Sequence, residues 1–172
     1  MIKIQQINVG GFSLDITVNK AKVLKEKPQE SHLVFGTQFT DHMFVADYSP
    51  DKGWHDPRII PYGPVTLDPS TMIFHYGQGI FEGMKAYCRE DGKIGIFRPR
   101  SYLSRMNRSA QRLCIPQIDE EFAYQGLMEL LKLEQDWVPK SFETSLYLSL
   151  IHISFHLHPK LFQVWLIILL YK

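Results

Sequence analysis

Residues 75–87 read HYGQGIFEGMKAY, and no other stretch restricts the architecture as much. The segment combines Gly77, Gly79 and Gly83 with the acid Glu82 and the rings of His75, Tyr76, Phe81 and Tyr87, a mixture that an ordinary buried core does not require. Its glycines superficially match a dinucleotide-binding turn. That fingerprint, however, needs its third glycine three residues after the second, at position 82, where Glu82 would set an anion beside the pyrophosphate. A nucleotide turn is therefore set aside. Downstream, residues 84–89 and 93–98 flank Glu90-Asp91-Gly92, in which the Asp91-Gly92 pair suits a hairpin because both central positions tolerate positive φ. HYGQGIFEG is thus expected immediately before a strand.

The rest of the chain reads as mixed α/β, without an internal repeat. With 172 residues, 45% of them hydrophobic, it can bury a real core. Residues 1–9 alternate weakly and suit an edge strand, and 20–32 form a polar, mobile connection. Residues 35–49, rich in β-branched and aromatic side chains, predict a strand entered through a turn. The Pro-, Gly- and Asp-rich stretch 49–70 predicts a loop with one short extended piece. From an N-cap at Ser101, the spacing of Leu103, Met106, Ala110 and Leu113 predicts an amphipathic helix that Pro116 closes. Asp119 caps a second helix, which faces Leu127, Leu130 and Leu131 to a core and is stopped by Pro139. The last clear strand is 144–148.

A formal charge of +1 argues against non-specific nucleic-acid binding. Cys88 and Cys114 alone build neither a disulfide framework nor a zinc cluster, which fits a reducing, cytoplasmic setting. The start MIKIQQINVGGF lacks the pattern of a secretion signal or an organelle presequence, and the apolar run 164–171 is far short of the ~20 residues of a bilayer span. It suits a buried strand, or a stretch never selected to fold. Arg105, Arg108 and Arg112 form a row on the first helix, either a solvated basic face or a site that grips a phosphate bidentately. Pattern alone favours the solvated face. His75-Tyr76 reads as a hydrogen-bonded structural pair. Asp41-His42 could be a dyad, but no nucleophile elbow accompanies it, and His152, His156 and His158 make only a weak metal pattern.

Taken in order and spacing, FGTQFTDHMFVADYS, HYGQGIFEGMKAY, IFRPRSYLSRMNRSAQRLCIP, LEQDWVP and TSLYL resemble the branched-chain amino acid aminotransferases, fold type IV enzymes that depend on pyridoxal 5′-phosphate. The resemblance covers residues 35–148. It implies an α/β (α+β) small N-terminal domain, with a mixed, mostly antiparallel sheet flanked by helices, closed by a larger C-terminal domain. Residues 1–34 would be an N-terminal strand and polar connection. Arg105 then corresponds to the arginine that grips the cofactor phosphate. Phe35 and Phe81 correspond to walls of the pocket for the branched side chain, and Tyr147 to another tyrosine of that pocket. Tyr76 corresponds to a tyrosine presented to the partner subunit's site, so a homodimer is implied. The implied reaction moves an amino group between Leu, Ile or Val and 2-oxoglutarate.

Two departures follow. The family's cofactor-bearing lysine lies beyond the resembling segment, so no catalytic residue is assigned here; Lys85 matches a family lysine without that role and reads as a solvated strand lysine. The chain alone is expected to be inactive. After TSLYL the family continues with a pocket arginine and a proline, whereas this chain has Ser149, and residues 149–172 are expected to be foreign to the family. A D-amino acid aminotransferase, an aminodeoxychorismate lyase, and a non-catalytic domain binding phosphate ligands or a partner stay open as alternatives. FTDHM and LSRMNRSA favour the branched-chain group.

Overall fold

In the computed structural model, which describes residues 15–154 and 162–171, the chain is organised around one seven-stranded sheet. The strands are β1 (Thr17–Val18), β2 (His42–Ser49), β3 (Gly53–Pro61), β4 (Gly79–Cys88), β5 (Ile94–Ile96), β6 (Ser145–Ser154) and β7 (Phe162–Tyr171). Their order across the sheet is β1-β3-β2-β7-β6-β4-β5, and every neighbouring pair is antiparallel except β1 with β3. The mostly antiparallel α/β architecture expected from the sequence is therefore the one formed. Helices α1 (Met72–Tyr76), α2 (Pro99–Arg112) and α3 (Glu120–Leu133) complete the framework.

Helices α2 and α3 cover one sheet face. Leu103, Met106 and Leu127 pack there with Met84, Leu146 and Leu148, and each such side chain contributes about 1.5–3 kcal/mol by leaving water. Helix α2 buries Leu103, Met106 and Ala110 as predicted, but Leu113 lies beyond its last turn and is exposed. The helix also starts earlier than Ser101. Pro99 takes its first position, where a missing N–H costs nothing, after Arg98 in a left-handed conformation at φ 46°. Asp119 does cap α3, accepting from the Phe122 N–H at 2.8 Å.

Expectations for the strands and connections also need correction. The stretch read as a loop contains nine-residue β3; its pairing with β2 slips between Val45 and Asp47, so an irregularity absorbs Asp56 (φ 48°) and Pro57. Strand β4 begins at Gly79, so HYGQGIFEG runs from α1 into the strand instead of preceding it. Strand β6 continues past Leu148 to Ser154, and β7 sits in the sheet between β2 and β6. A strand buried on both faces needs a nearly continuous apolar sequence, which is how 164–171 reads. The connection at 20–32 is tied down: the Ala21 N–H donates to His42 Nε2 and the Lys25 N–H to Asp41 Oδ1, both at 2.8 Å.

Asp41 and His42 form no dyad. Asp41 Oδ2 accepts from Trp137 Nε1 at 2.9 Å, while His42 Nδ1 pairs with buried Glu134. Because His42 Nε2 accepts from Ala21, the ring proton sits on Nδ1 and is donated to Glu134. Burial pushes the Glu134 carboxyl above its usual range, and the His42 contact pulls it the other way. Residues 1–9, His156 and His158 lie outside the described residues. Among those described, no His, Cys, Asp and Glu group could hold a metal, and no helix is long and apolar enough to cross a membrane.

Candidate phosphate and side-chain site

Arg105 sits mid-way along α2, beside the first half of β4. Its Nε donates to Glu82 Oε2 at 2.6 Å and its Nη2 to Glu82 Oε1 at 2.5 Å, while the guanidinium carbon lies 5.0 Å from the Tyr102 ring centroid. Glu82 is buried and also accepts from the Gly83 N–H at 2.8 Å. Arg105 itself is half exposed, and Glu82 raises its pKa further above the ordinary value. Strand alternation explains the pairing: Glu82, Met84 and Ala86 turn inward to α2, whereas Phe81 turns out and is 75% exposed. A shallow depression is lined by Gly79, Phe81, Arg105, Arg108, Ser109 and Arg112. Among the described residues, Arg108 and Arg112 have no acidic partner.

A second group gathers on the opposite sheet face. Phe35 meets Tyr147 and Tyr171 edge-on, each with centroids 5.4 Å apart, and Lys85 Nζ lies 3.5 Å from the Tyr171 centroid. Lys85 is therefore stacked on a ring and half-buried, not solvated. Tyr147 crosses β4 so closely that a Cβ on Gly83 would overlap its hydroxyl. Ser149 pairs in register with Gly83, so the departure from the family pattern lies on this same face. Arg105 and Phe81 line the same depression, and Phe81, in phase with Gly83 and Lys85 along β4, also shares the sheet face on which Phe35 meets Tyr147. Tyr76 belongs to neither group: it ends α1, is 71% exposed and has His75 as its ring neighbour. His75 does not pair with Tyr76 by hydrogen bond; its Nε2 donates to the Pro69 carbonyl at 2.8 Å.

No protein-family model matches the chain. Among curated proteins, branched-chain-amino-acid aminotransferase 2 of Bacillus subtilis is 53% identical over 133 residues, covering 77% of this chain and 37% of its own length. Branched-chain-amino-acid transaminase 1 of the same organism is 54% identical over 129 residues, covering 75% and 36%. Over that segment the chain is similar to the branched-chain aminotransferases at 53–54% identity. It spans little more than a third of the length of these relatives. The fold agrees with solved members of the family. The Thermoproteus uzoniensis branched-chain aminotransferase with norvaline superposes with a TM-score of 0.55 at 20% identity, over 74% of this chain and 40% of that one. The branched-chain amino acid aminotransferase from Thermobaculum terrenum, in its PLP-form, gives 0.54 at 15% identity, over 77% and 40%.

Glu82, Tyr102 and Tyr171 were not anticipated at the site. Glu82 was legible only as an obstacle to a nucleotide turn. Its strand position and the helical phase of Arg105 together could have signalled the ion pair, but nothing local to either residue does.

Proposed function

We propose that this chain supplies the small domain of a branched-chain aminotransferase, with residues 35–148 carrying the segment that contacts cofactor and substrate. On this reading Arg105 holds the phosphate of pyridoxal 5′-phosphate, and the observation that carries it is the arginine fixed on Glu82 at the rim of a depression. The donor set suits the group: a guanidinium that stays charged, with Arg108 lining the same depression. The bound cofactor would act as the electron sink for amino transfer between Leu, Ile or Val and 2-oxoglutarate.

The remaining tasks fall to this chain's apolar side chains. Phe35, Phe81 and Tyr147 form walls against which a branched aliphatic side chain loses water, at about 0.8 kcal/mol per methylene. Tyr76, exposed at the end of α1, is offered to the site of a second copy, giving a homodimer. Phe35 and Phe81 are 54% and 75% exposed, which suits surfaces that a larger domain covers. Ser149 brings no charge to this face, so the substrate carboxylate must be held from elsewhere. No residue of this chain takes the role of the cofactor-bearing lysine, and the setting is cytoplasmic.

Co-expression with the complementary part of the B. subtilis relative tests the proposal. Leucine-dependent glutamate formation from 2-oxoglutarate is expected from the pair and from neither piece alone, and Arg105→Gln should abolish it. Turnover of D-alanine in place of leucine would instead select another fold type IV activity.

A further inference from the structure

We infer that Glu82 is a positioning residue that aims the guanidinium of Arg105 at a phosphate; this rests on the reading of Arg105 given above. A guanidinium carries five N–H donors in one plane, arranged along two bidentate edges. Glu82 takes the side edge, Nε–H plus one Nη2–H, which leaves three of the five (5 − 2) pointing away from it. Those three include one Nη1–H and the second Nη2–H, which lie side by side as the end edge that suits two phosphate oxygens. Tyr102 adds a cation–π contact, its ring centroid 5.0 Å from the guanidinium carbon. The carboxylate is itself fixed, because β4 buries it and the Gly83 N–H donates to the same oxygen that Nη2 meets. An exposed arginine normally spreads over many rotamers; this one is anchored on one edge by Glu82 and lines a depression together with Phe81, Arg108 and Ser109.

A carboxylate beside an anion site also repels the anion, and that opposition makes the inference testable. If Glu82 only neutralises charge, removing its charge must tighten anion binding. If it aims the arginine, removal weakens binding despite the lost repulsion. The full chain and its Glu82→Gln, Glu82→Asp and Arg105→Gln variants are titrated with pyridoxamine 5′-phosphate, using unphosphorylated pyridoxamine as the control. The Arg105 Nε–H resonance is followed by NMR in the wild-type chain.

The wild type is expected to prefer the phosphorylated probe, and Arg105→Gln to lose that preference. Glu82→Gln and Glu82→Asp should each weaken it by roughly three- to tenfold, the cost of ordering one freed side chain. The Arg105 Nε–H should exchange slowly with water, a readout that survives if a Glu82 variant fails to fold. Tighter binding by Glu82→Gln, or a rapidly exchanging Nε–H in the wild type, overturns the aiming role and leaves Arg105 as the phosphate ligand. Equal wild-type affinity for both probes removes the phosphate reading, and the aiming role with it.

Discussion

His152 on β6 makes the stability of this chain depend on pH. It is 1% exposed, its Nε2 has no hydrogen-bond partner, and the rings of Trp54 and Phe162 stand 5.0 and 5.8 Å away. Burial among such groups penalises the charged form and lowers the pKa from 6.5 to about 3. A lowered base pKa means that the unfolded chain binds the proton more readily, so stability is full above about pH 6.5 and falls as pH drops toward 3. At pH 5 the difference amounts to log(1 + 10^1.5), or ~1.5 pK units, which is about 2 kcal/mol. Urea unfolding of the wild type and of His152→Leu at pH 7.5 and pH 5 isolates this group, because all other titrations cancel in the difference. At pH 7.5 the variant should be at least as stable, since it no longer buries an unpaired nitrogen, at a cost of about 1–3 kcal/mol. At pH 5 its advantage should grow by ~2 kcal/mol. A difference that stays constant between the two pH values would refute the reasoning.

Three further substitutions probe close approaches. Gly83→Ala should cost about 1–3 kcal/mol by displacing Tyr147, and most of that cost should vanish in a Tyr147→Ala background; simple additivity in a thermal double-mutant cycle would deny the contact. Gly126→Ala sets a Cβ 2.6 Å from Phe44 Cζ, so α3 must lift off β2, at about 1–3 kcal/mol; an unchanged melting temperature contradicts this. Glu134→Ala strands the His42 Nδ1–H and the Asp41 N–H, and denaturant unfolding should register about 1–3 kcal/mol for each lost partner.

Local signals read well from the sequence where the physics is local. The hairpin between β4 and β5, the Asp119 cap and the α2 stripe all depend on residues within a few positions of one another, although in the hairpin only Gly92, and not Asp91, takes positive φ (74°). Long-range pairing hid the rest. β3 carries Gly53, Asp56 and Pro57, ordinary turn residues that are held in a strand because β2 slips its register to fit them. β7 lacks alternation because neighbours on both sides and cover on both faces leave it no polar side. At the site, the arginine row was visible as a stripe, yet the choice of Arg105 depends on Glu82, 23 residues away on another element. Likewise Asp41 and His42 look like a dyad until Glu134 and Trp137, more than 90 residues on, take one partner each.

The central claim is that Arg105 presents a prepared edge to a phosphate within a branched-chain aminotransferase segment. A crystal structure of the chain grown with pyridoxamine 5′-phosphate tests it most directly. The account predicts the phosphate on the Nη1 and Nη2 edge of Arg105, with the Glu82 pair intact and Phe81 alongside. A phosphate bound elsewhere, with the Arg105 edge still facing solvent, would contradict it.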